Sequence, residues 1–490
     1  MRKQLRSTSL NRRGFLRHTA MLSGAAAMAS PAWARCTEQD QPLLVGTGKA
    51  DITPPLGVGI LMSSGRELWE PFDEVRLPLW ARAIVVQKGK RRIAIVSLDL
   101  LGLAGEAIGG LSQFKETVAA ATEGAVNADD VALASTHTHC GPESIALSDL
   151  MEKDSFKTWV DQLARQIGSA IRDAAGSVRP CRMMVGSRPA AGLAVNRRIK
   201  TTRGITSVRR QVPPDELIGP EGPIDDQVRV GAFMDESKKP AAILVNFTAH
   251  PVLEMCIKHV SPDYPGEMVL ELQRRHPGAE VLFLQGACGN INPPTMDRSP
   301  ANAQKYAGRL AKLVDEALGD LVAVEGNELN LRWKAIKLPV RDLTGELQTK
   351  PLETRIGAAR IGNAVMVFLP GEPFVEIALA IREVSPFPYT AVAGYAEDYI
   401  GYIPTDRAFE NGGDGGRPRR RAPRAPGGGK KGGRGANGQP PPPRGGGQAG
   451  AVETGGYEVG PGRWSRVATG SEKIVCREAI GLLRTLRDEG

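Results

Sequence analysis

Cysteine and histidine are both scarce in this 490-residue chain, six of each. Neither occurs in a C-x-x-C, H-x-x-x-H or H-E-x-x-H spacing. The cysteines (36, 140, 181, 256, 288 and 476) are too sparse for a disulfide scaffold, though they leave room for a bridge. No internal repeat is present. With 41% hydrophobic and 24% charged residues, the composition excludes both a membrane bundle and a wholly disordered chain. Acids are missing altogether from residues 1–34, which carry Arg2, Lys3, Arg6, Arg12, Arg13 and Arg17.

What is there is a formal charge of +9, unevenly placed. Positions 1–34 contribute +6 and positions 412–456 contribute +7, so the rest of the chain stands at −4. A nucleic-acid reading of the high pI therefore has to rest on the second basic segment alone. That segment holds 17 Gly, 7 Pro and nine Arg or Lys, with no Phe or Trp and no regular repeat. It lacks the stacking residues of RNA- or DNA-binding tracts, and it is expected to be a disordered insertion. Nucleic acid is not expected as a partner; peripheral contact with an anionic envelope surface is.

The first basic segment has a different meaning. Arg12-Arg13 is followed by Gly14-Phe15-Leu16, a mild Ala/Gly-rich apolar stretch and Ala32-Trp33-Ala34. This is the pattern of a twin-arginine export signal with an A-x-A cleavage site, its apolar part too short to remain as a membrane span. The mature protein is expected to be periplasmic or secreted, and to cross the membrane already folded.

Between the appendages, short apolar strands are expected at 81–87, 92–98, 131–135, 228–233, 242–248, 280–285, 364–369 and 390–393. Helices are expected at 104–122, 154–175, 264–276, 300–318, 372–383 and 472–487. Phe156, Trp159, Val160, Leu163, Ile167 and Ile171 give the second helix one apolar stripe. The alternation indicates an α/β fold, a mixed sheet with helices on both faces, over 35–411 and resuming at 457–490.

Four polar clusters follow apolar strands directly: Thr136 to Pro142, Ala249-His250-Pro251, Gly286 to Pro293, and Pro370-Gly371-Glu372. Ligands of α/β sheets bind beyond the carboxyl ends of strands, so these segments are expected to converge. Two histidines two positions apart, a third at 250 and a carboxylate at 372 make a chemically sound zinc set; spacing alone equally allows histidines hydrogen-bonded in a core.

These residues also carry a resemblance. Asp51-Ile52-Thr53-Pro54, Thr136 to Pro142, His250, the Gly289 to Pro293 loop, Pro370-Gly371-Glu372, Gly394-Tyr395 through Thr405, and Gly455 to Glu458 resemble, in order, the catalytic domain of the neutral/alkaline non-lysosomal ceramidases. The resemblance implies a zinc amidohydrolase that cleaves an N-acyl, ceramide-like lipid amide by attack of metal-activated water. It implies His137, His250, Glu372 and Tyr402 as zinc ligands, His139 as the acid–base residue and Arg197 as a substrate-positioning group. Asp263 is expected either to orient His250 or to cap a helix.

The chain departs from the family pattern in two places. The loop that reads Gly-Asp-Val-Ser-Pro in ceramidases is Gly289-Asn290-Ile291-Asn292-Pro293 here. Asn292 cannot form an acyl-enzyme but can donate a hydrogen bond to the substrate carbonyl. The stretch 457–490 has room for a helix and little else, so the family's immunoglobulin-like domain is not expected. The alternatives are a related zinc hydrolase for an ester, peptide or cell-wall fragment, or a silent family member. All four ligand positions being filled weighs against the last. Cys140 and Cys288 read as small buried hydrophobes rather than nucleophiles.

Overall fold

The computed structural model describes residues 42–63, 68–207, 211–295, 297–412 and 456–489. The export signal expected at 1–34 and positions 413–455 of the basic tract lie outside the described residues.

The larger sheet uses β1 (Leu43–Asp51), β2 (Trp80–Lys88), β3 (Arg91–Leu98), β4 (Val131–Ser135), β5 (Arg179–Pro189), β6 (Gln227–Met234), β7 (Pro240–Phe247) and β8 (Glu280–Gln285). Its order is β8-β7-β6-β5-β1-β2-β3-β4, with Val322–Ala323 added beside β5. The β7/β8 and β3/β4 pairs are parallel and the neighbours between them antiparallel, so the sheet is mixed. A second sheet, β9 (Leu329–Leu338), β10 (Leu352–Ile361), β11 (Ala364–Phe368) and β12 (Tyr389–Ala393), has four strands in sequence order.

Side-chain alternation along the strands builds the layers. On β2, Ala83 and Val85 pack with α1 (Leu111–Ala121) and α2 (Asp154–Gly176), while Ile84 and Val86 face the second sheet. On β7, Ile243 and Val245 pack with α3 (Asp263–Arg275) and α4 (Pro300–Leu318), while Leu244 meets the second sheet. The outer face of that sheet, through Ile356, Val365 and Val367, buries α5 (Val375–Glu383) and α6 (Ser471–Asp488). The α/β class is borne out, and the helices do lie on both sides. What they enclose is a pair of sheets, an α-β-β-α stack.

Two expected helices start later than the pattern suggested. α1 begins at Leu111 because Gly109 and Gly110 sit at φ +74° and +98°, a backbone no helix continues through. Residues 372–373 form a two-residue parallel ladder with Tyr402–Ile403, and α5 begins only at Val375. Among the described helices none is long and apolar enough to cross a membrane.

Candidate metal centre

The four polar clusters do converge. The ends of the larger sheet curl together: Ser97 Oγ on β3 donates to Phe283 O on β8 at 2.7 Å. At the seam the Gln285 amide, at the end of β8, donates to Ala249 O (2.9 Å) and Thr136 O (3.3 Å). Those carbonyls immediately precede His250 and His137, so one buried glutamine braces both histidine turns.

β4 ends at Ser135 and the chain turns left-handed at His137, φ +67°, a conformation that non-glycine residues adopt mainly where surrounding contacts impose it. The His137 amide is held by Leu100 O at 2.9 Å. Its Nδ1 lies 2.6 Å from Leu101 O, and His250 Nδ1 lies 2.7 Å from Cys288 O. A carbonyl only accepts, so both Nδ1 atoms carry the proton and both Nε2 atoms present lone pairs.

Those lone pairs meet. His137 Nε2 is 3.2 Å from His250 Nε2, and Glu372 Oε2 is 3.4 Å from the first and 3.2 Å from the second. His139 Nε2 is 3.3 Å from His137 Nε2, and the nitrogens of the three histidines lie within 4.8 Å of one another. A tetrahedral site with bonds of about 2.0–2.1 Å has edges of about 3.3–3.4 Å. The triangle of His137, His250 and Glu372 therefore has the dimensions of one face of such a site, and neutral imidazole with carboxylate is a zinc-type donor set.

The electrostatics agree with that use. Burial, reinforced by the Arg197 charge, pushes His250 down to about 4, so it is neutral near pH 7. Burial works to raise Glu372, but His137 and His250, when they carry a proton toward it, hold the carboxyl well below its usual range; a cation in that place would do the same. Tyr399 donates to Glu372 Oε1 at 2.6 Å and Tyr395 to Oε2 at 3.3 Å. Both phenols are pushed far up, by burial first, and remain donors. Tyr395 also stacks on His137 with ring centroids 4.0 Å apart.

Tyr402 is the direct backbone partner of Glu372 in the short parallel ladder. Its hydroxyl lies 3.4 Å from that of Tyr457, and burial followed by Glu372 holds its proton on. Arg197 spans the faces of both rings, 5.4 Å from Tyr402 and 5.1 Å from Tyr457. The arginine is 2% exposed and its Nε donates to Glu458 at 2.8 Å, which is a buried ion pair and not a solvated charge. Its Nη1 lies 3.4 Å from Asn292 Oδ1, whereas Nη2 is buried with no partner. Asn292 sits in a two-residue ladder with Val195 and is fully buried. Gly289 lets this loop close on Glu372: its amide donates to Pro373 O at 2.9 Å, and a Cβ there would strike the Glu372 and Pro373 carbonyls.

Asp263 does not orient His250; its carboxylate accepts from the Glu254 and Tyr264 amides and pins the turn into α3. Cys140 and Cys288 are fully buried, and burial drives both thiols up, so neither offers a thiolate. Sequence reasoning gave no role to Gln285, Tyr395, Tyr399 or Glu458, although the last three lie in the stretches that carry the family resemblance. A polar residue ending the otherwise apolar run Val281 to Leu284 was the available signal for the first.

Comparison with known proteins places the chain. The family described as neutral/alkaline non-lysosomal ceramidase, N-terminal, matches residues 43–305. A neutral ceramidase of Pseudomonas aeruginosa is 28% identical over 291 residues, which is 56% of this chain and 40% of that protein. The match thus spans about two fifths of the relative's length. The crystal structure of neutral ceramidase from Pseudomonas aeruginosa superposes with a TM-score of 0.64 at 19% identity, covering 91% of this chain and 75% of that one. A ceramidase complexed with C2 gives 0.67 at 18% identity, covering 91% and 76%. These structures share the fold, and the family match covers more than half of the sequence: the chain belongs to the neutral/alkaline non-lysosomal ceramidase family.

Proposed function

We propose that this protein is a zinc-dependent amidohydrolase acting outside the cytoplasm on an N-acyl, ceramide-like amide. The observation that carries the reading is the closed triangle of His137 Nε2, His250 Nε2 and Glu372 Oε2 with edges of 3.2–3.4 Å, beside a buried arginine with an unused N–H. Family membership supports amide hydrolysis, and the twin-arginine pattern of residues 1–34 supports the location.

Zinc held by His137, His250 and Glu372, with Tyr402 as fourth ligand, would supply a nucleophile from water at neutral pH and polarise the scissile carbonyl. The chain's own groups do the rest. His139, 8% exposed and the least enclosed of the three imidazoles, takes the proton of the attacking water and returns it to the leaving amine. The unpaired Nη2 of Arg197 donates to the carbonyl oxygen as charge develops there. Glu458 and Asn292 hold that guanidinium in place. The amide of Asn292 cannot act as a nucleophile, so no covalent route through that position competes.

His139→Ala separates two roles for this residue. As the acid–base group its loss leaves zinc content at one per chain and lowers kcat by about 10²- to 10⁴-fold. Were His139 a ligand, the variant would lose zinc as well. Metal analysis of the purified variant alongside hydrolysis of a short fluorescent N-acyl sphingosine decides between them. The same pair of measurements on the wild type tests the function: a protein without zinc, or with zinc and no turnover of any N-acyl amide, is incompatible with it.

A further inference from the structure

Glu372 has two oxygens, and the structure treats them differently. Oε2 faces the His137 and His250 nitrogens at 3.4 and 3.2 Å, whereas Oε1 accepts the Tyr399 hydroxyl at 2.6 Å. That bond is charge-assisted and short, Tyr399 is buried, and its backbone is tied down by Tyr399 N donating to Leu103 O at 2.7 Å.

From this we infer that Tyr399 is a positioning residue that sets how Glu372 coordinates: by occupying Oε1 it restricts the carboxylate to a single ligating oxygen. The inference rests on the zinc reading above and adds to it the coordination mode. Carboxylates bind zinc through one oxygen or two, and a second oxygen would take up the position an incoming carbonyl or water needs. Tyr395 is less suited to this task. Its hydroxyl is 3.3 Å from Oε2 and also engages the Cys288 thiol at 3.0 Å, and its ring is committed to stacking on His137.

The test uses the full-length exported protein, loaded with zinc for affinity by chelator competition and with cobalt(II) for visible absorption. The wild type is expected to show the intense d–d bands of a low-coordinate site. Tyr399→Phe removes one hydroxyl and keeps the ring, and is expected to weaken zinc about 10- to 100-fold and to lower the cobalt band intensity as Glu372 becomes bidentate. A variant with unchanged affinity and spectrum overturns the inference while leaving the zinc reading intact. X-ray absorption on the wild-type zinc protein decides independently of how the variant folds: one carboxylate oxygen supports the inference, two overturn it. A wild type that takes up no zinc overturns both.

Discussion

His250→Ala is expected to yield a folded protein that retains little zinc and hydrolyses N-acyl amides about 10³-fold more slowly. The reason is geometric. Removing one corner of the triangle takes away one of its two imidazole donors and leaves His137 and Glu372, 3.4 Å apart, with Tyr402 beside them. The transition-state stabilisation that a bound ion would supply goes with it, and a thousandfold loss corresponds to about 4 kcal/mol. Folding is expected to survive because the side chain makes few contacts beyond the site, its Nδ1 bond being to the Cys288 and Ile291 carbonyls. Zinc analysis, circular dichroism and turnover on one preparation check this. Full zinc occupancy in the variant would move the metal elsewhere and remove the basis of the mechanism.

The second large effect concerns the chain on either side of residues 413–455. Asn411 donates to Glu221 at 2.9 Å, Glu221 pairs with Arg198, and Glu458 bridges Arg198 at 3.1 Å and Arg197 at 2.8 Å. A Cβ on Gly412 would touch the Val459 side chain, so the positions flanking 413–455 come together. Deleting 413–455 and joining the ends with a few Gly and Ser residues is therefore expected to raise stability by about 2 kcal/mol at most, since loop closure costs about 0.6 kcal/mol per doubling of length and the joint is about three doublings shorter. Glu458→Ala is different. It strands the buried Arg197 charge, and breaking such a pair costs about 3–5 kcal/mol; Glu458→Gln should recover part of this through its hydrogen bond. A deletion carried through Tyr457 and Glu458 should behave like Glu458→Ala and lose activity as well. Urea unfolding of the four proteins tests this, and equal stability across them would show that the buried bridge is not what joins the tract to the site.

Much of this architecture could be read from residue order because burial leaves a simple imprint. The stripe from Phe156 to Ile171 lies on α2 as expected, all six residues at 7% exposure or less. The runs at 242–248 and 280–285 are strands because they are mostly apolar and their few polar side chains, such as Asn246 and Gln285, find partners inside the protein. The second sheet was harder to see: of its four strands only β11 and β12 were expected. Leu329–Leu338 and Leu352–Ile361 mix Arg, Lys and Glu among their apolar positions; the first alternates between core and solvent over much of its length, and the second is buried on both faces only from Ile356 onward. At the site, the histidines and Glu372 announced themselves by following apolar strands. Glu458 did not, because its partner Arg197 is 261 residues away in the chain and a charge beside a Gly-rich tract looks solvated.

The orientation of the two central imidazoles depends on main-chain atoms: Leu101 O fixes one tautomer and Cys288 O the other. No substitution removes a backbone carbonyl, so the tautomers survive changes at 101 and 288 that respect the packing there, where both side chains are buried and the Cys288 thiol meets the Tyr395 hydroxyl at 3.0 Å. Damage to the donor geometry should therefore come from residues that bend the backbone, such as a proline at 101 or 288, more than from those that change its decoration.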